Sequence, residues 1–295
     1  MNPHLPSGVA LDFGGTKIAA ARVVAGRVVE RQQIATDGGA SVDDQVAAIS
    51  GLLDQLGLQV DEQVGVALAG RVNHDGEWFA VNTDTLSQIT AVPLRDILSD
   101  RLKRAVTVQN DAIAAAIGEH AAGAGQGAQS MAFVTVSTGV GGGIVLNDTP
   151  LISDTGLAGH LGFTTTRVPG GTCGCGRQQT VESVASGRAI AAQAAALGYP
   201  DMDAKMVFEA HLAGARWATG LIEQSACVVG ELCANLKSLL DLERIVLGGS
   251  IGMAQGYIEL VQQALADEPE LFQIPVLQAE LGADSALIGV LANPA

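Results

Sequence analysis

Short apolar runs alternate along this chain with stretches in which apolar residues recur at helical spacing. Val9 to Leu11 leads into Asp12, Phe13, Gly14, Gly15, Thr16 and Lys17, and a second apolar run extends from Ile18 to Val24. That pattern predicts strand, tight turn, strand. Beyond Ser41, residues Val46, Ile49, Leu52, Leu53 and Leu56 share a helical face, with Ser41 as N-cap and Asp43 and Asp44 in the first turn. Val64 to Leu68 reads as a strand running into the loop Ala69-Gly70-Arg71, and Asn82-Thr83-Asp84 as a polar loop. Val92 to Leu102 has helical spacing. Val106 to Val108 predicts a strand ending in Gln109-Asn110-Asp111, and an alanine-rich helix follows over Ala112 to Ala122. Gly123 to Gln129, all small or polar, predicts a flexible surface connection between two lobes.

The opening pattern then recurs. Met131 to Val136 predicts a strand, Ser137 to Gly143 a glycine-rich turn, and Ile144 to Leu146 the start of another strand. This weak duplication predicts two related lobes, each opening with strand, turn, strand, and each turn facing a shared cleft. Gly156 to Thr166 is irregular and contains His160, and Gly170 to Gly176 is a loop carrying Cys173 and Cys175. Helical spacing returns over Val181 to Leu197 and over most of Ala204 to Leu242. Ile245 to Leu247 predicts a strand ending in Gly248-Gly249-Ser250, with a helix starting near Met253. Val276 to Leu281 and Ala283 to Leu291 predict a last strand and a last helix. The alternation of strands and helices argues an α/β fold.

Composition narrows the function classes. The chain has 295 residues, 48% of them hydrophobic, enough to bury the cores of two lobes. No apolar run is long enough to span a bilayer, and residues 1–8 lack a basic segment followed by an apolar one, so a cytoplasmic location is expected. The formal charge of −15 argues against a nucleic-acid partner. Four cysteines in a chain of this length are no disulfide framework. Cys227 and Cys233 lie in an apolar helical segment and read as inert core residues.

Two opposed glycine turns favour a bound phosphate, because glycine allows the backbone to approach a ligand closely. Asp12, at a strand end, offers the oxygen that a hydrated Mg²⁺ takes. The Gly249 turn reads either as a resting place for an adenine ring or as a plain connection. Asp111 stands at the carboxyl end of a strand, where open α/β sheets place ligands. It reads either as a base accepting a hydroxyl proton during phosphoryl transfer or as a cap of the helix that follows.

Six spaced motifs, Leu11-Asp-Phe-Gly-Gly-Thr-Lys17, Asn110-Asp111, Ser137-Thr-Gly-Val-Gly-Gly-Gly143, Leu157-Ala-Gly-His160-Leu-Gly, Cys173-Gly-Cys175-Gly and Val181-Glu182, resemble in content and order those of the ROK family of repressors, open reading frames and sugar kinases. The resemblance spans nearly the whole chain. It implies an actin-like (ribonuclease H-like) two-lobed α/β fold. The expected lobes are residues 1–120, rejoined by 283–295, and residues 121–282. It also implies ATP-dependent phosphorylation of a sugar hydroxyl, with Mg²⁺, by a homodimer. Ser137 to Gly143, Gly156 to His160 and Ala185-Ser-Gly-Arg-Ala-Ile-Ala-Ala192 look most like the branch that phosphorylates the 6-hydroxyl of N-acetylmannosamine in sialic acid breakdown. Asp111 matches the family's general base. Gly70, Arg71, Thr83, Asn110, His160 and Glu182 match its sugar-binding positions. The ATP positions matched are Ala10, Leu11, Asp12, Phe13, Gly14, Gly15, Thr16 and Lys17, then Thr138, Gly139, Val140, Gly141, Gly142, Gly143, Ile144, Val145 and Leu146, with Gly249 beside them.

The chain departs from the family at its zinc site. Phe163 stands at the histidine ligand's position and Thr180 at the third cysteine's, leaving Cys173 and Cys175. Two thiolates do not complete a tetrahedral site, so no structural zinc is expected. The rival readings are a ROK kinase for glucose, N-acetylglucosamine or another hexose, a non-catalytic sugar sensor, and a repressor. About ten residues before Asp12 are too few for a DNA-reading segment, which argues against the last.

Overall fold

The computed structural model describes residues 5–14, 17–81 and 89–292. The chain divides into two units, residues 1–127 with 149–159 and 281–295, and residues 128–148 with 160–280.

The first unit is built on a five-stranded sheet in the order β3-β2-β1-β4-β7. Strands β1 (Gly8–Phe13), β2 (Lys17–Val24) and β3 (Arg27–Ala35) run antiparallel, whereas β4 (Val64–Leu68) and β7 (Val106–Asn110) lie parallel to β1. Alternation along β1 sorts its side chains between two cores. Val9, Leu11 and Phe13 join α1 (Val42–Gln55) and α2 (Leu94–Leu102) on one face. Ala10 joins Ala21, Ala67 and Ala114 on the other, under α3 (Asp111–Ala122) and α10 (Ser285–Ala292). Small residues on that second face let the two helices sit close to the sheet. Phe13, Leu68 and Asn110 are in register, so three parallel strands end level at one edge. The short strands β5 (Arg71–Val72) and β6 (Trp78–Phe79) pair with one another beyond it, whereas β10 (Thr149–Pro150) is the edge strand of the second five-stranded sheet.

The second unit repeats the opening. Strands β8 (Met131–Val136) and β9 (Val140–Leu146) form an antiparallel hairpin. β11 (Arg244–Gly248) and β12 (Val276–Gln278) extend it in parallel from β8. The helices are α4 (Val181–Ala185), α5 (Gly187–Ala196), α6 (Ala204–Leu212), the long α7 (Arg216–Leu240), α8 (Gly249–Gly252) and α9 (Tyr257–Ala266).

Several expectations are corrected. Strand β3 escapes the apolar pattern because it is nearly all exposed. The helix expected over Val181 to Leu197 breaks at Ser186, which ends α4 and whose hydroxyl caps α5 through Ala189 N–H. The helix expected near Met253 begins instead at Gly249. Gly141, Gly142 and Gly143 are strand residues, and the turn is confined to Ser137–Gly139. The segment from Gly123 does carry the boundary between the units, at Gly127, but its start is not loose. Gly123, Ala124 and Gly125 are buried, and their N–H groups bond to Glu119. Cys233 is buried in the core, but Cys227 points outward from α7 and is exposed. No helix of the described residues is long and apolar enough to cross a membrane.

Candidate active site

In the first unit, the level strand ends gather Asp12, Gly70, Asn110 and Asp111 near one edge. Asn110, not Asp111, is the N-cap of α3, because its side-chain oxygen accepts Ile113 N–H at 3.0 Å. Its amide nitrogen donates to Gly70 O at 2.7 Å and to Asp111 Oδ1 at 2.9 Å. Ala112 N–H also donates to Asp111 Oδ1, at 2.8 Å. Asp111 is thereby a held carboxylate at a helix start. Burial pushes its carboxyl up to about 7, and the neighbouring Asp12 charge adds to that, while the N–H of Ala112 and the Asn110 amide oppose it. Asp12 is raised as well, by burial, against the opposing charges of Lys17 and Arg31.

Gly70 has φ +107°, and a Cβ there would meet Phe79 O at 2.6 Å, so glycine is required. Arg71 is pinned rather than solvated. Its guanidinium lies 4.0 Å from the centre of the Phe79 ring and donates to Thr155 O. The turn after β1 closes through Gly14 N–H to Lys17 O at 3.0 Å. Gly15, Thr16 and Thr83 lie outside the described residues.

In the second unit, Ser137–Gly139 is tied to the start of α5, with Gly187 N–H donating to Ser137 O at 2.8 Å and Arg188 N–H to Thr138 O at 3.3 Å. Glu182, buried on α4, reaches this turn. Its Oε2 accepts Val140 N–H at 3.0 Å, and a Cβ on Gly139 would fall 2.6 Å from the same oxygen. Ile144 and Val145 are core side chains. Gly249 has φ +86°, and a Cβ there would meet Val136 O. Around this turn opens a cavity of about 630 Å³, lined by Ser137, Thr138, Arg188, Lys205, Phe208 and Ile251 among others. Arg188, Lys205 and Phe208 were not assigned roles from sequence. Arg188 carries the only signal, its place in the first turn after a capping serine.

His160 stacks on Phe163, with ring centres 5.5 Å apart and planes at 27°. Thr180 is buried and caps α4 through Ser183 N–H. Cys173 is buried, its Sγ donates to Glu182 Oε1 at 3.3 Å, and burial pushes its thiol up to about 11. Among the described residues, no three His, Cys, Asp or Glu side chains converge as metal ligands.

The ROK family pattern matches residues 8–293. The chain belongs to the ROK family. It is 40% identical over 281 residues to the N-acetylmannosamine kinase of Haemophilus influenzae, covering 95% of this chain and 93% of that one. It is 42% identical over 283 residues to the N-acetylmannosamine kinase of Yersinia pseudotuberculosis, covering 96% of each. Among solved structures, a ROK glucokinase from Streptomyces griseus, in complex with glucose and AMPPNP, superposes with a TM-score of 0.79 at 31% identity over 97% of this chain and 98% of that one. The α/β fold of this ROK protein is thus the actin-like fold of the family's sugar kinases.

Proposed function

We propose that this chain is an N-acetylmannosamine kinase, transferring the γ-phosphoryl group of ATP to the sugar's 6-hydroxyl. The observation that carries the chemistry is Asp111. A carboxylate held by two donors, with its pKa lifted to about 7, is matched to accept a proton near neutral pH. The sugar is supported by the 40–42% identity, across nearly the whole chain, to kinases named for it.

In the first unit, Asn110, Gly70 and Arg71 would hold the sugar with one hydroxyl toward Asp111; in the second unit, His160 and Glu182 are the sugar residues that the family resemblance implies. As the γ-phosphorus bonds to the sugar oxygen, its bond to the ADP oxygen breaks and the hydroxyl proton passes to Asp111. The second unit's cavity takes the nucleoside against Gly249, with the phosphates beside the Ser137–Gly139 turn. The Asp12 carboxylate is a hard oxygen donor whose burial disfavours its charge unless a cation is near, which fits Mg²⁺. Bound there, Mg²⁺ would neutralise charge on the outer phosphates. Asp12 would orient it.

The test is ADP release with ATP and each of N-acetylmannosamine, N-acetylglucosamine, glucose and mannose. A clear preference for N-acetylmannosamine is expected. Preference for another hexose would overturn the substrate and keep the mechanism; the family resemblance implies that the histidine replaced by Phe163 also touches the sugar in relatives, which is the reason to include the others. Folded protein that turns over none of them would shift the reading to a sugar sensor.

A further inference from the structure

Glu182 is held by more than the turn it touches. Its Oε1 accepts Cys173 Sγ at 3.3 Å and lies 3.5 Å from Arg188 Nη2. Arg188 stands in the first turn of α5, where the Ser186 cap and the Thr138 carbonyl fix its backbone. Its side chain is half-exposed and lines the cavity together with Ser137, Thr138 and Ser250. One guanidinium therefore borders both the Glu182 carboxylate and the space beside the glycine turn. The nitrogen facing Glu182 would also lie 3.9 Å from a Cβ on Gly139.

We propose that Arg188 exchanges partners during the catalytic cycle: it holds Glu182 when the cavity is empty, and turns to the nucleotide's phosphates when ATP enters, freeing Glu182 to bind the sugar. This rests on the reading of the chain as a sugar kinase. Four physical points support it. At 3.5 Å the pair is longer than a tight charge-assisted hydrogen bond, and a half-exposed arginine is screened by water, so the grip is easily broken. A phosphate group offers more charge and the bidentate geometry that guanidinium prefers. Lys205, the neighbouring cation of the cavity, already lies 3.9 Å from Glu209 on an exposed face. Without its cation, Glu182 keeps the N–H of Val140 and gains from further donors, which sugar hydroxyls provide. Arg188 is thus a positioning residue for the sugar and a contact for the nucleotide.

The test is calorimetric titration of the wild type, Arg188→Gln and Arg188→Lys with AMPPNP, with adenosine, and with N-acetylmannosamine in the presence and absence of AMPPNP. In the wild type AMPPNP should tighten sugar binding about fivefold. Arg188→Gln should weaken AMPPNP several-fold while leaving adenosine within about twofold, as loss of a phosphate contact requires. The same variant should bind the sugar more tightly than wild type without nucleotide, and AMPPNP should then add little. Arg188→Lys should recover part of the AMPPNP affinity. A merely structural arginine would not raise sugar affinity on removal. Equal losses for AMPPNP and adenosine would overturn the proposal, and so would a sugar affinity in Arg188→Gln that is unchanged or weakened without nucleotide. Wild-type protein that binds AMPPNP but no N-acetylmannosamine would instead overturn the substrate reading, leaving the AMPPNP and adenosine comparison to decide whether Arg188 meets phosphate.

Discussion

The cap of α3 belongs to Asn110, whose amide also bonds the Gly70 carbonyl, and not to Asp111, which sequence leaves as either a base or that cap. Asp111→Asn should keep the fold and lower turnover by about 10²–10⁴-fold, measured by ADP release at saturating sugar. A variant with most of its activity would show that Asp111 is not the base. The carboxyl's shift from 3.8 to about 7 also fixes two pH dependences. As the base, it must lose its proton, so kcat/KM should rise with pH and level off above about 7. Asp12→Asn removes a charge that raises Asp111, so the midpoint of that rise should move to lower pH while the rate falls. For stability the sign is opposite. A carboxyl raised on folding supports the fold fully below about 4, and that support is lost as pH rises toward about 7. Melting curves should therefore show Asp111→Asn more stable than wild type at pH 8, the gap closing near pH 4. Asp12 and Asp111 were legible because each stands at the carboxyl end of a strand, where open α/β sheets place ligands. The hold of Glu182 on Val140 was not, because 42 residues separate them and only the folded β8–β9 hairpin brings them together.

At the scale of elements, the helix pair α3 and α10 shows how the first unit is closed. Gly289 carries no Cβ because the Ala114 carbonyl occupies that place, and Gly118 faces the Ser285 carbonyl in the same way. Alanine suits an exposed helix better than glycine by about 1 kcal/mol. Here the backbone leaves no room, so Gly289→Ala should destabilise the protein, by roughly 1–3 kcal/mol as overpacking usually does. A chemical denaturation curve checks this, and an increase in stability would mean the helices do not meet as described. Glu119, fully buried on α3, ties the same region together by accepting Ala124 N–H, Leu281 N–H and the Ser285 hydroxyl. This joins chain segments 162 and 166 residues apart, which no periodicity could reveal. Elements with a buried face, such as α1, α3, β4 and β7, were legible from spacing because burial imposes the period. Strand β3 and the first residues of β9 were not. The one is exposed almost throughout, and the other is written in glycines, which have no side chain to alternate. Cys227 was misread for a related reason: the apolar content of α7 was counted without its phase.

The whole molecule carries a formal charge of −15 and yet is read as binding a polyanion. On that reading backbone N–H groups and cationic side chains such as Arg188 and Lys205 would supply some of the attraction and a divalent cation the rest. The metal question therefore separates into two. A chelator should stop turnover, and Mg²⁺ should restore it. Fold stability should not follow. Phe163 stacks on His160, Thr180 caps α4 and Cys173 donates to Glu182, and neither phenylalanine nor threonine is a side chain that zinc takes in structural sites. The loop that zinc would otherwise clasp is closed by the bridges Thr165 to Thr180 and Thr172 to Gln178, and by Arg167 and Thr166 on Glu231. A structural zinc contributes on the order of 10 kcal/mol to folding where it is present, so stripping one would lower the melting midpoint by many degrees. The expected outcome is loss of activity with an unchanged midpoint, and less than one zinc per several chains by elemental analysis. A midpoint that falls with chelation, and one tightly held zinc per chain, would show that the loop recruits ligands its resting geometry does not bring together.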